Sequence, residues 1–136
     1  MRLRVEAEVR PTEDPAKVER AVKNIFPTLE LSLTENIISG ESREVEALDR
    51  LRQLLRSQAI LDSARSVMRR GMQGGVVRFM LNKQAAAVGK VSFTDGESPL
   101  GPITVVIEAR DTERLIDYLA PRTANGKPIK EIEYRD

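Results

Sequence analysis

Alternation of apolar and charged residues marks the first segment of the chain. Apolar residues occupy positions 3, 5, 7 and 9, and charged residues occupy positions 4, 6 and 8. This period of two predicts a strand with one buried face and one solvent-exposed face.

Asp14 followed by Pro15 is a typical helix start, and the apolar positions 18, 21, 22, 25 and 26 share one helical stripe. A helix is therefore predicted from Pro15 to about Phe26, before Pro27.

The middle of the chain predicts a mixture of short strands and helices. Apolar positions 29, 31 and 33 predict a second strand, and residues 36–42 are predicted to be a loop. Residues 42–56 and roughly 57–70 each carry an apolar stripe at helical spacing, and the second helix is expected to end at Gly71. Residues 72–75 are predicted to be a Gly-rich turn, 76–81 a strand and 83–89 a short helix.

The last third of the chain predicts more strands and one helix. Short strands are expected at positions 91–93 and 103–109, and Asp111 is expected to cap a helix that ends at Pro121. The tail from Lys127 is either an edge strand or loose. Runs of helices and strands, rather than steady alternation, indicate an α+β fold. We expect a single α+β domain over residues 1–136, with a largely antiparallel sheet and helices packed on one face.

Composition excludes several kinds of chemistry. With 40% hydrophobic and 32% charged residues, the chain is typical of a globular protein with a charged surface. It has no cysteine and no histidine, so disulfides, thiolate metal sites, cysteine nucleophiles and histidine bases are excluded. No metal or cofactor is expected, and we expect the protein not to be an enzyme. Many ionic residues beside few Asn and Gln favour a thermophilic source. No segment resembles a signal peptide or a membrane span, so a cytoplasmic setting is expected.

The charges are segregated along the chain although the net charge is only +1. Residues 1–49 hold 7 basic and 11 acidic residues, and residues 91–136 hold 6 basic and 9 acidic residues. Residues 50–90, here called the basic block, hold 9 basic residues and one acidic residue, Asp62. The excess of positive charge therefore lies in the centre of the chain.

The basic block is the main candidate for binding chemistry. Arg50 and Arg52 are expected to pair with Glu46 and Asp49 on their own helix. Asp62 is expected to pair with Arg65. The remaining cations form a potential phosphate-binding surface: Arg65, Arg69, Arg70, Arg78, Lys83 and Lys90. The alternative is a solvated face that the acidic flanking segments neutralise in the folded protein.

Two polar motifs lie within the same block. The Gly-rich segment 70–75 follows a helix and precedes a strand, the reverse of a phosphate-binding loop, so a helix end and a tight turn explain it better. Asn82 and Gln84 are candidates for polar contacts to sugar or base. Asn82 is also a good N-cap for the short helix after it, and this interpretation is favoured.

Several strings in the chain match a known family. They are Val9-Arg-Pro-Thr-Glu-Asp-Pro15, Gln58-x-Ile-Leu-Asp-x-Ala-Arg-Ser66, Arg70-Gly71, Leu81-Asn-Lys-Gln-Ala-Ala86, Val88-Gly89 and Pro99-Leu-Gly-Pro-Ile103. On these strings the chain resembles an archaeal family of uncharacterised proteins grouped with RNA-binding domains. The resemblance extends from the first strand to about Pro128. It implies an α+β fold similar to the ribosomal protein domain that binds 5S rRNA, and assembly as a homodimer. A related archaeal group implies work with RNA-processing machinery.

The sequence therefore predicts an RNA-binding accessory protein without catalytic activity. In this hypothesis the six cations contact phosphates, and Asn82 and Gln84 contact sugar or base. Two alternatives remain open at this point: a homodimeric scaffold whose basic helix docks on an acidic partner, and an unrecognised nucleotide-binding enzyme. The RNA hypothesis depends on the six cations forming one surface that carboxylates do not already neutralise.

Overall fold

The computed structural model describes residues 1–135, and its main feature is an antiparallel sheet. Within these residues the sheet has six strands in the order β2-β3-β1-β6-β5-β4. Every neighbouring pair is antiparallel. The strands are β1 (Arg2–Glu8), β2 (Ser32–Thr34), β3 (Ile37–Ser42), β4 (Met72–Gln73), β5 (Val76–Asn82) and β6 (Pro102–Glu108). A separate small hairpin joins β7 (Thr123–Ala124) to β8 (Lys127–Pro128).

Five α-helices accompany the sheet in the described part of the chain. They are α1 (Pro15–Ile25), α2 (Asp49–Ser57), α3 (Leu61–Arg70), α4 (Lys83–Ala87) and α5 (Thr112–Leu119), and a 3₁₀ turn at Val45–Leu48 precedes α2. The caps that the sequence predicts are present: the Asp14 carboxylate accepts from Ala16 N at 3.0 Å, and the Asp111 carboxylate accepts from Arg114 N at 3.0 Å. Side-chain oxygens thus satisfy N–H groups that the first turn leaves unpaired.

The core lies on one face of the sheet. Positions 3, 5 and 7 of β1, 77, 79 and 81 of β5, and 103, 105 and 107 of β6 are all buried against the apolar faces of the helices. The intervening positions on these strands are partly or fully exposed. The predicted α+β fold, with a largely antiparallel sheet covered on one face, is confirmed.

On the open face of the sheet, charged side chains of β1 and β3 pair with one another. Arg4 on β1 pairs with Glu6 on the same strand and with Glu41 on β3, and Arg2 also pairs with Glu41. Hydrogen bonds from Arg2 and Arg4 lower the pKa of the Glu41 carboxyl below its ordinary value. Because the pairs with Glu41 are exposed and cross from β1 to β3, they align the strands more than they stabilise the fold.

Some predicted boundaries were wrong. Residues 36–42, predicted to be a loop, contain β3, which pairs with β1 from Leu3↔Ser42 to Glu8↔Ile37. The strand has only one apolar side chain facing the core, Ile38, so its short pattern carries little period-two signal. The predicted strand at 91–93 is reduced to an isolated bridge between Leu81 and Phe93.

The C-terminal tail is held on the helices and is not an edge strand of the main sheet. After β8, the Glu131 carboxylate accepts from Arg56 of α2, and Tyr134 is buried against Tyr118 of α5 with ring centroids 6.0 Å apart. Among the described residues, no helix is long and apolar enough to cross a membrane.

Candidate nucleic-acid interface

Arg65 and Arg69 of α3 face carboxylates of α5. Arg65 donates from Nη1 to Asp117 Oδ1 at 2.8 Å and to Ala120 O at 3.1 Å, and its side chain is only 12% exposed. Arg69 donates to Glu113 Oε2 at 2.6 Å. Both cations are therefore neutralised within the chain itself.

Local pairings predicted from helical spacing were wrong for several cations. Asp62 accepts from the Thr123 hydroxyl at 2.6 Å, whereas Arg65 reaches across to α5. Arg50 donates to Gln53 rather than to Glu46, and Arg52 donates to Glu131 and to the Tyr118 carbonyl rather than to Asp49. Arg52 and Arg65 have long side chains that reach tertiary acceptors, which outweigh weak surface pairs along one helix. Arg50 still donates to its own helix, but to the amide of Gln53 and not to a carboxylate.

Lys83 is a buried structural cation. Its side chain is 5% exposed, and Nζ donates to Glu8 O at 2.6 Å, to Leu100 O at 2.7 Å and to Glu13 Oε1 at 3.0 Å. An ammonium group has three donors, so all of them are used inside the protein. Lys83 joins the end of β1, the turn before α1 and the loop before β6. It is not available to a phosphate unless this cluster is broken.

Arg70 and Arg78 remain exposed, and among residues 1–135 neither forms an ion pair with a carboxylate. Both line one groove of about 620 Å³ at the edge of the sheet, here called the arginine groove. Phe93, Met80 and Asp95 also line the groove. Two guanidinium groups on one groove offer several N–H donors to phosphate oxygens, and arginine matches phosphate geometry well.

Gly71 brings the two arginines together. The Arg78 N–H donates to Gly71 O at 2.9 Å, and a Cβ at position 71 would lie 1.8 Å from Arg78 O. The end of α3 can therefore lie this close to the backbone of β5 only because residue 71 has no side chain. Gly71 has φ −90°, so it ends the helix without the left-handed conformation common at helix ends.

The Gly-rich segment after Gly71 is a turn, as predicted. Gly74 and Gly75 have φ +59° and +80° and join β4 to β5 as a hairpin. A left-handed backbone is easy only for glycine, so these two residues are explained by the turn itself.

Lys90, Asn82 and Gln84 do not line the arginine groove. Asn82 caps α4, accepting from Ala85 N at 2.8 Å, which confirms the cap interpretation. Gln84 is exposed on α4 beside α1, and Lys90 is exposed after α4, with its N–H bonded to Ala85 O. The structure therefore does not bring the eight predicted contact residues together. Only Arg70 and Arg78 line the arginine groove, and the other six lie elsewhere or are paired within the protein.

Phe93 is the groove residue that the sequence did not single out. The pattern of positions 91 and 93 assigns it to the core, and its ring does pack edge-on against the buried Phe79 at 5.8 Å. Phe93 is nevertheless only partly buried. Its polar neighbours, Ser92 and Thr94, were the signal available in the sequence that this segment lies at the surface.

Comparisons with known proteins agree on one family. A family model described as RNA binding matches residues 2–109. A UPF0201 protein of Thermococcus onnurineus is 48% identical over 130 residues, which cover 93% of this chain and 96% of the relative. A UPF0201 protein of Sulfurisphaera tokodaii is 47% identical over 133 residues, covering 93% of this chain and 92% of the relative.

A solved structure agrees with the sequence relatives. The crystal structure of the UPF0201 protein from Methanococcus jannaschii matches with a TM-score of 0.87 and 39% identity, covering 96% of this chain and all of that one. The matches span nearly the whole chain, and the identity is far above the level at which only a fold is shared. The chain therefore belongs to the archaeal UPF0201 family, whose sequence model carries the description RNA binding.

Proposed function

We propose that the protein binds RNA as a non-catalytic accessory protein, and that the RNA backbone lies in the arginine groove between Arg70 and Arg78. The observation that carries the proposal is that these two exposed guanidinium groups line one groove without a carboxylate partner in the described chain. The family description supports RNA as the polyanion.

This proposal is narrower than the one made from the sequence. Arg65 and Arg69 already donate to carboxylates, and Lys83 is buried with all its donors used. Recruiting Arg65 or Lys83 to a phosphate would first require breaking largely buried contacts, which offsets the gain from the new ones. The Arg69–Glu113 pair is exposed on both sides and therefore weaker, but it leaves Arg69 already partnered. Lys90 lies outside the groove and is proposed as a peripheral contact to a neighbouring phosphate.

The groove is better suited to single-stranded RNA than to a duplex. It is a recess at a sheet edge, and the partly buried ring of Phe93 lies on its wall. Single strands are held by cations along the backbone together with aromatic surfaces on which a base can stack. Asp95, also on the wall, disfavours a second phosphate at that end of the groove.

The test is the salt dependence of RNA affinity for charge-reversed variants. Fluorescence anisotropy of a labelled single-stranded RNA is measured from low to moderate salt for wild type and for Arg70→Glu/Arg78→Glu. Each lost phosphate contact on a single strand should reduce the slope of log K against log salt by about 0.7, so the double variant should lose about 1.4. Its affinity should fall at least about tenfold.

The matched control is Arg50→Glu/Lys130→Glu, which makes the same change in net charge at exposed positions away from the groove. The proposal expects a much smaller loss in this control. Equal losses in the two double variants would show a non-specific effect of net charge, and an unchanged slope in the groove variant would rule out phosphate contacts there. The expected homodimer, RNA-processing partners and cytoplasmic setting stay predictions.

A further inference from the structure

A second recess, separate from the arginine groove, lies between α1 and α4. It has a volume of about 270 Å³, and here it is called the α1–α4 pocket. Val18 and Ala21 of α1, which line it, are 3% and 2% exposed, whereas Lys17 and Gln84 are exposed and also line it. The pocket therefore has an apolar base and a polar mouth, as small-ligand sites usually do.

Glu13 places a carboxylate in the wall of this pocket. Its side chain is 11% exposed, and Oε1 accepts from Lys83 Nζ at 3.0 Å and from Arg10 N at 2.9 Å. Among residues 1–135, the second oxygen, Oε2, accepts no hydrogen bond from the protein. Oε2 is not one of the fully buried side-chain atoms that lack a partner in these residues, so solvent reaches it and a ligand in the pocket can donate to it.

The chemistry around Glu13 selects neutral N–H donors. The adjacent Lys83 ammonium balances the carboxylate charge, and its three protons are already used. A ligand can therefore satisfy Oε2 with an N–H group without bringing a charge into the pocket. A cationic ligand would add an unbalanced charge beside Lys83. At the mouth, Lys17 can attract an anionic group attached to the same ligand.

The shape of the pocket favours a flat ligand with apolar faces. The small side chains of Ala21 and Ala87 leave space between the two helices, and Leu100 contributes a further apolar wall. A nucleobase has two such faces and carries its donors on one edge. The pocket is also where three of the strings that carry the family resemblance meet, through Glu13, Lys83 and Leu100.

We infer that the α1–α4 pocket takes one unpaired nucleobase, with its N–H edge directed at Glu13 Oε2 and its phosphate near Lys17. Guanine fits best, because N1–H and the N2 amino group are adjacent donors. Uracil fits worst, because its single N–H lies between two carbonyls that would face the carboxylate. The choice of a nucleobase rests on the proposed RNA-binding function, and a free nucleotide offers the same chemistry.

The experiment is a titration of ¹⁵N-labelled protein with guanosine and uridine 5′-monophosphates, followed by amide chemical shifts. Guanosine monophosphate should give saturable shifts at residues 12–21 and 83–88, with a Kd of about a millimolar, and uridine monophosphate should bind at least about tenfold more weakly. Ala87→Leu fills the pocket from an exposed position, so the fold should be kept and the affinity should drop at least about tenfold. The matched control, Val88→Leu, changes the neighbouring residue, which is 73% exposed and does not line the pocket, and should bind as wild type does.

The inference is overturned if guanosine monophosphate gives no saturable shifts at these residues, if uridine monophosphate binds equally well, or if Ala87→Leu binds as tightly as Val88→Leu. Its failure is distinguishable from failure of the proposed function. Arg70→Glu/Arg78→Glu should bind guanosine monophosphate as wild type does while losing RNA affinity. A protein that binds the nucleotide but shows no groove-dependent RNA affinity would support the pocket and refute the groove.

A second arm with single-stranded oligonucleotides containing one guanine or only uracil separates a base in RNA from a free nucleotide. Tighter binding of the guanine oligonucleotide, abolished by Ala87→Leu, indicates a base in RNA.

Discussion

Replacement of Gly71 by alanine is the sharpest test of how the end of α3 is joined to β5. By local rules the change should be harmless or even favourable, because Gly71 has φ −90° and alanine is the better helix former. The tertiary structure predicts the opposite. The new Cβ would lie 1.8 Å from Arg78 O, and the clashing atom is backbone, so no side-chain rotation can relieve it.

The magnitude follows from what must move. The end of α3 and the middle of β5 have to separate by more than an ångström, and the bond from Arg78 N to Gly71 O, now 2.9 Å, would be lost or severely stretched. The lost hydrogen bond costs about 1 kcal/mol. Forcing extra volume into packed structure costs a further 1–3 kcal/mol or so, for a total of roughly 2–4 kcal/mol.

The assay is urea unfolding followed by far-ultraviolet circular dichroism, with a midpoint expected to fall by roughly 1–2 M. The control is Gly74→Ala, where a Cβ meets nothing within 4 Å and only the positive φ of +59° is unfavourable. That strain costs about 1–2 kcal/mol. A steric clash at position 71 is ruled out if Gly71→Ala is as stable as wild type or loses less stability than Gly74→Ala.

Two further predictions concern charged side chains outside the arginine groove. Lys83→Met should destabilise the fold by about 3–5 kcal/mol in urea unfolding, because it leaves Glu13 largely buried and unpaired, and Lys90→Met, at an exposed site, should change stability by less than about 0.5 kcal/mol. Glu131→Gln should cost roughly 0.5–1 kcal/mol at neutral pH, since the pair is partly exposed and screened by solvent. Hydrogen bonds from Arg56 lower the pKa of the Glu131 carboxyl in the folded state. The stabilisation is therefore present above the unfolded pKa of about 4.3 and is lost as the pH falls through the lower folded value. The difference in stability between wild type and Glu131→Gln should shrink across that acidic range, and a pH-independent difference would contradict the assignment.

Periodicity and cap chemistry predicted the larger elements correctly. The alternation of positions 2–10 corresponds to β1, and Asp14 and Asp111 cap the helices that they were expected to cap. These signals are local: a buried face imposes period two on a strand, and a cap needs only the next few residues. By contrast, β3 was missed because its place is determined by pairing with β1, whose partner residues run from Leu3↔Ser42 to Glu8↔Ile37 and are far away in sequence.

The candidate site was predictable only in part. The density of cations in the basic block is a property of the sequence, and Arg70 and Arg78 were among the residues singled out. Which cations stay free depends on what each one meets after folding. Arg65 meets Asp117, which lies 52 residues later, and Lys83 meets the carbonyl of Glu8, 75 residues earlier. No spacing rule along a helix anticipates such partners.

The sequence by itself determined the class of fold, the family and the segment that carries the excess of positive charge, because composition, periodicity and short motifs are encoded by neighbours along the chain. Only the tertiary structure decided which charges remain available and where they gather. It buried Lys83, paired Arg65 and Arg69 with α5, and placed Arg70 beside Arg78 through the missing side chain of Gly71. The physical reason is that a charge is neutralised by whatever lies within a few ångströms, and long-range packing chooses those neighbours.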